Sequence, residues 1–243
     1  MSRICVLAAK EFKSFFSSWV AYFFILVFVM ASLWFFFFHA EFFGRGRAEI
    51  RGLFEWLPLT LAILVPGLTM RQWAREREMG SIELLLTLPA STSELVLGKF
   101  FGCLALVFVA LLFTLGIPIT ASSLGDLDWG PVVGGYCAAL LLGSAYIAIG
   151  LLVSSWFTDQ FVALITGWMI CVFMAAISHE SVLFWATDIS KTLADTLGFV
   201  GFWSRFDSIE RGVLDFRDVA YYLSVTGLFL YLNTCRLRLQ RWA

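Results

Sequence analysis

Apolar residues do not alternate with polar ones along this chain; they run in long blocks separated by short charged stretches. A membrane-spanning helix needs about 20 predominantly apolar residues, and six blocks approach that length. They cover about 19–38, 53–70, 100–120, 132–156, 161–177 and 219–235. The second carries Glu55 at its outer edge and Pro58 and Pro66 inside it, and the sixth is the weakest. Ahead of the first block, Phe12, Phe15, Phe16 and Trp19 recur at i, i+3, i+4 and i+7, with Lys10, Lys13, Ser14 and Ser17 opposite. That spacing predicts an amphipathic helix over 1–18 lying in the plane of the membrane interface. The first block is too long for a cleavable signal peptide and has no small-residue cleavage site.

Composition supports this reading. Of 243 residues, 60% are hydrophobic, 17% aromatic and only 14% charged, and the mean hydropathy is +0.85. A soluble domain runs at about 45–50% apolar and about 25% charged, so a soluble enzyme, a nucleic-acid binder and a disordered chain are excluded. Net charge −1 argues against a polybasic partner surface. The five cysteines (Cys5, Cys103, Cys137, Cys171, Cys235) form neither a CxxC pair nor a metal spacing. With the N-terminus inside, the inner segments hold ten basic residues and the outer ones seven, while acids divide six inside to twelve outside. The basic excess predicts both termini in the cytoplasm.

The spans are marked by what they lack. All but the second are free of Asp, Glu, Lys, Arg and His in their interiors, whereas ion-coupled transport and proton relays need such groups at mid-depth. His39 and His179 sit at outer span ends, no HExxH pair is present, and Ser144 beside Gly143 reads as a helix-packing residue. A GxxxxGK[ST] motif is absent too. Energy for any movement must then enter from another subunit, and the chain is expected to have no enzymatic activity of its own.

The 71–99 loop is the candidate for that contact. Its first part, with Arg75, Glu76, Arg77 and Glu78, continues span two as a helix, and Gly80 ends it in the position of a glycine C-cap. Ser81 is an N-cap for a second short helix, with Glu83 in its first turn, running over Ile82 to Leu88 until Pro89. Ser91 to Glu94 forms a capping box opening span three. The short apolar helix can dock in a partner's groove or rest on lipid, and spacing leaves both open.

At these residues the chain resembles the transmembrane subunits of ABC-2-type ABC transporters, whose first cytoplasmic loop carries an acidic-x-Gly-[Ser/Thr]-x-Glu-x-Leu-Leu pattern. Here that is Glu78, Gly80, Ser81, Glu83, Leu85 and Leu86, followed by Pro89, Ser91, Gly98 and Lys99. The turn Ser154-Ser155-Trp156-Phe157-Thr158-Asp159-Gln160 is similar to a second family pattern, with Asp159 where Asn is usual. The segment Arg205 to Asp218 running into Tyr221–Ser224 resembles the branch associated with gliding motility, a close relative of the one serving nitrous-oxide-reductase maturation.

The resemblance implies an all-α membrane protein of the ABC-2, type V exporter-like fold: an interfacial elbow helix over 1–18 and six spans in a single domain, with a second membrane subunit, identical or different. It implies that Arg75, Glu76, Arg77, Glu78, Gly80, Ser81, Glu83, Leu85 and Leu86 form a coupling helix region docking on a cytoplasmic P-loop ATPase dimer, with Ser155, Thr158, Asp159 and Gln160 as a second cytoplasmic turn. Residues 178–218 become an extracytoplasmic segment with Trp185, Phe202, Trp203 and Phe206 at the interface, and Arg205, Asp207, Arg211 and Asp215 facing an outer partner. ATP and Mg belong to the ATPase; this chain needs no cofactor or metal. Function is expected to be ATP-driven export across the inner membrane. A mechanical subunit passing ATPase strokes to an outer partner, and a non-ABC scaffold, are the alternatives.

Overall fold

The structure, a computed structural model, describes residues 3–39, 50–80, 91–125, 127–210 and 215–241. Those residues are nearly all helical, joined by short turns, and contain no strand. In chain order the helices are α1 (Arg3–Phe16), α2 (Trp19–Trp34, ending in a π-helical turn Phe35–His39), α3 (Arg51–Glu55), α4 (Leu57–Thr69), α5 (Arg71–Glu78), α6 (Thr92–Thr114) and α7 (Gly116–Leu124). They continue with α8 (Trp129–Ser154), α9 (Gln160–Ala176), α10 (Glu180–Ile189), α11 (Lys191–Val200), α12 (Phe202–Glu210) and α13 (Phe216–Arg241).

The bundle is built around α8. Every residue from Leu142 to Leu151 is buried, so this helix is covered on all sides. Its small residues make that possible, because they let neighbouring backbones approach. A Cβ on Gly150 would fall 2.1 Å from Thr69 Oγ1 of α4, and one on Gly135 would fall 2.7 Å from the Phe54 ring of α3. Ser144 also shares a hydrogen bond of 3.1 Å with Thr226 of α13. It is a packing residue.

Among the described residues, three helices are long and apolar enough to cross a membrane: Trp19–Phe38, Thr92–Ser123 and Trp129–Ser154. A fourth arises if α9 and Ser181–Asp188, bent by 68°, count as one span. The expected second span is helical but divided, since Trp56 separates α3 from α4 and Met70 separates α4 from α5. The expected sixth span lies within α13, where Tyr221, Tyr222, Tyr231 and Asn233 dilute its hydropathy.

Three residues, Trp19, Phe202 and Phe206, sit elsewhere than the sequence predicts. Trp19 does not lie on the face of α1: the chain turns at Ser17–Ser18, and Trp19 opens α2, 88% exposed. Nor is α1 held only by an apolar stripe. It packs on α6 through a Gly98-x-x-x-Gly102 face, where added Cβ atoms would lie 2.6 Å from Leu7 Cβ and 2.7 Å from Glu11 Cβ. At the other end of the bundle, Trp185 is exposed, but Phe202 and Phe206 are buried rather than interfacial. The α12 helix wedges inward, its Phe202 ring 5.3 Å from that of Tyr146 on α8. Its N-terminus is capped across the chain: Ser178 Oγ accepts from Trp203 N (2.9 Å) and Ser204 N (3.3 Å).

Candidate functional site

Those residues expected to receive force that the structure describes gather at one end of the bundle. The α5 helix ends where the sequence places its stop. Met79 N donates to Arg75 O and Gly80 N to Arg77 O, both at 3.0 Å. Gly80 then adopts φ +65°, a left-handed conformation that glycine takes without a Cβ penalty. A Cβ there would meet nothing within 4 Å, so only backbone strain opposes substitution. We expect Gly80→Ala to cost about 1 kcal/mol and Gly80→Asn less, read as ordered losses in thermal unfolding of the detergent-solubilised chain.

The centre of this end is Lys99. Its side chain is 5% exposed and its ammonium lies 2.8 Å from Glu76 Oε1 of α5 and 3.3 Å from Glu11 Oε1 of α1. It donates as well to Gln72 Oε1 at 3.4 Å and sits 4.9 Å from the centre of the buried Trp73 ring. Removing an ammonium from water is costly unless charge and hydrogen bonds replace the lost hydration. Two carboxylates, an amide oxygen and an indole face do so here. One side chain on α6 thus ties together α1 and α5. Sequence reading noted Lys99 only within a pattern and missed Glu11 and Gln72. The Gly98/Gly102 spacing was the available signal, since it brings α1 against α6.

Ser154 makes the second tie. Its Oγ accepts from Trp73 N (3.1 Å) and Ala74 N (3.3 Å) and donates to Met70 O (2.9 Å), bridging the α4–α5 junction from the end of α8. The third tie joins the two predicted turns: Gln160 Nε2 donates to Glu78 Oε2 at 2.6 Å. Asp159 caps α9, its Oδ1 accepting from Phe161 N (2.6 Å) and Val162 N (3.3 Å). Asp does this as well as Asn, so the departure from the family pattern leaves the turn intact. A cavity of about 410 Å³ lies between α5 and this turn, bordered by Arg71, Glu78 and Thr158. Ser155 is buried, and its hydroxyl donates to Leu152 O of its own helix.

Arg75 is exposed, whereas Arg77 is half-buried; burial and then nearby Arg236 push its guanidinium below its ordinary value. Ser91 and Glu94 form the expected capping box, with Glu94 N donating to Ser91 Oγ (3.2 Å) and Ser91 N to Glu94 Oε2 (2.8 Å). Arg238 at the end of α13 donates to Ser93 Oγ at 3.3 Å. Ser81, Glu83, Leu85 and Leu86 lie outside the described residues.

The outer set is dispersed. Arg205 pairs with Asp218 at 2.7 Å and stacks over Phe199 and Tyr221 at 4.7 and 5.4 Å, so it is committed within the chain. Asp215 is exposed and accepts from Arg217 N at 3.0 Å, Asp207 is half-buried, and Arg211 lies outside the described residues. Among the described residues no group of three or more His, Cys, Asp or Glu is arranged to hold a metal ion.

No curated protein matches this chain. The family model described as ABC-2 family transporter protein matches residues 58–226, which runs from α4 through α12 into the first part of α13 and includes Lys99, Ser154 and Gln160. The apolar helices agree with a multi-pass membrane protein, and with more than half of its length matched the chain belongs to the ABC-2 transporter family, as a membrane permease of an ABC transporter.

Proposed function

We propose that the chain is the membrane half of an exporter driven by a separate cytoplasmic ATPase, which docks on α5, Gly80 and the 81–90 stretch and touches the Ser155–Gln160 turn. The observation that supports this best is the cross-linking at that end. Lys99 joins α1, α5 and α6, and Gln160 joins α9 to α5. A push delivered at Gly80 is therefore shared by four helices instead of being lost in one loop. In this reading α2, α3–α4, α6–α7, α8, α9 and α13 make six crossings of the inner membrane, α1 is the elbow, and both termini are cytoplasmic. Two membrane subunits pair over the ATPase dimer, which holds ATP and Mg; this chain contributes no catalytic group or cofactor. The gliding-motility-like branch remains part of the proposal, while the non-ABC scaffold falls with the family match.

Glu83→Arg tests the contact. The expected result is loss of ATPase co-purification in mild detergent and loss of the membrane subunit's effect on ATP turnover. Unchanged assembly and turnover would sink the assignment. The mechanical alternative draws support from α12, because Phe202 packed against Tyr146, with Phe206 buried on the same helix, gives the outer segment a stiff connection to α8. Vesicles carrying the whole complex separate the two readings: ATP-dependent movement of an amphipathic cargo across the bilayer favours export, and turnover without it favours transmission.

A further inference from the structure

We propose that the groove between α1 and α5 binds the headgroup of an anionic phospholipid. The groove has a volume of about 500 Å³, within the range of roughly 300–1,000 Å³ typical of small-ligand sites. Its floor includes buried Phe15 and Leu68, and its walls carry exposed Lys10, Arg71 and Arg75. Those three cations form no ion pair among the described residues, unlike Glu11 and Glu76 on the same groove, whose carboxylates are both engaged by Lys99. Four cations therefore face two carboxylates, and the surplus is positive where phosphate oxygens can accept from Lys and Arg.

Two further features favour a lipid over free phosphate. Trp19 and Tyr22, at the start of α2 beside the groove, are 88% and 54% exposed, and such aromatics sit at headgroup level. From there Phe23, Leu26 and Met30 form an exposed apolar stripe along α2, a track for acyl chains continuous with the groove through Val20. The inference requires only that the chain is a membrane protein; it does not depend on the ATPase contact.

Native mass spectrometry of the full chain in detergent, titrated with dioleoylphosphatidylglycerol or dioleoylphosphatidylcholine, tests it. Adducts of the anionic lipid are expected at about tenfold lower lipid concentration than those of the zwitterionic one. The exposed-site double variant K10Q/R71Q should abolish that preference, K10R/R71K should keep it, and Arg217→Gln at the far end should leave it unchanged. Equal adducts for both lipids, a preference that survives K10Q/R71Q, or loss in the charge-conserving variant would overturn the site. Displacement of the anionic lipid by millimolar inorganic phosphate would overturn the lipid assignment in favour of free phosphate.

Discussion

Lys99→Met destabilises the solubilised chain by about 3 kcal/mol, within the range expected when one partner of a buried ion pair is removed. The reason is what the substitution leaves behind. Glu11 and Glu76 retain their charges close together with side chains only 22% and 17% exposed, and the cation that held both is gone. Their residual exposure keeps the effect below the upper limit, because water or a proton can relieve part of the cost. Adding Glu11→Gln and Glu76→Gln to Lys99→Met removes the stranded charge and should recover most of the loss. Volume changes alone would predict further destabilisation from the extra substitutions. A thermal or denaturant unfolding series of parent, single and triple variants therefore distinguishes an electrostatic node from a packing defect. If Lys99→Met unfolds with the parent, Lys99 does not hold these helices together.

The local devices at this end were legible before the fold was known. Ser91 and Glu94 are three residues apart, and Gly80 follows a charged helix end; each satisfies its backbone groups from within the same stretch. The ties between helices were not, because their partners are distant in sequence: Lys99 and Glu11 are 88 positions apart, and Ser154 and Trp73 are 81. A serine closing an apolar run looks the same whether it faces lipid or caps another helix. Hydropathy also cannot separate an aromatic at the interface from one in a wedge, and Phe202 and Phe206 were misplaced for that reason. Trp19 continued the period of α1 by coincidence, since periodicity does not register the turn at Ser17–Ser18. At the opposite end, Arg205 was expected to face an outer partner, whereas the fold brings Asp218 to it.

Ser154→Ala carries the second large effect, about 2–4 kcal/mol, because it takes away one hydroxyl that serves three backbone groups in a dry interior. Trp73 N and Ala74 N lose an acceptor and Met70 O loses a donor, at a residue with no exposed surface. Deleting a single oxygen makes too small a void for cavity formation to account for a loss of that size. The position of the damage is diagnostic. Amide hydrogen exchange at Trp73 and Ala74 should accelerate together, while the Asp159 cap of α9, which depends on its own bonds to Phe161 and Val162, keeps its protection. Since Ser154 hydrogen-bonds α8 to the α4–α5 junction at the Met70 break, loosening that point should also weaken, under the proposed coupling, a stroke passed from Gly80 to the central helix. ATP turnover by the assembled complex would then persist with its downstream output reduced. A variant that unfolds uniformly, with both regions exchanging alike, would show instead that Ser154 supports the bundle in general and not the α4–α5 junction.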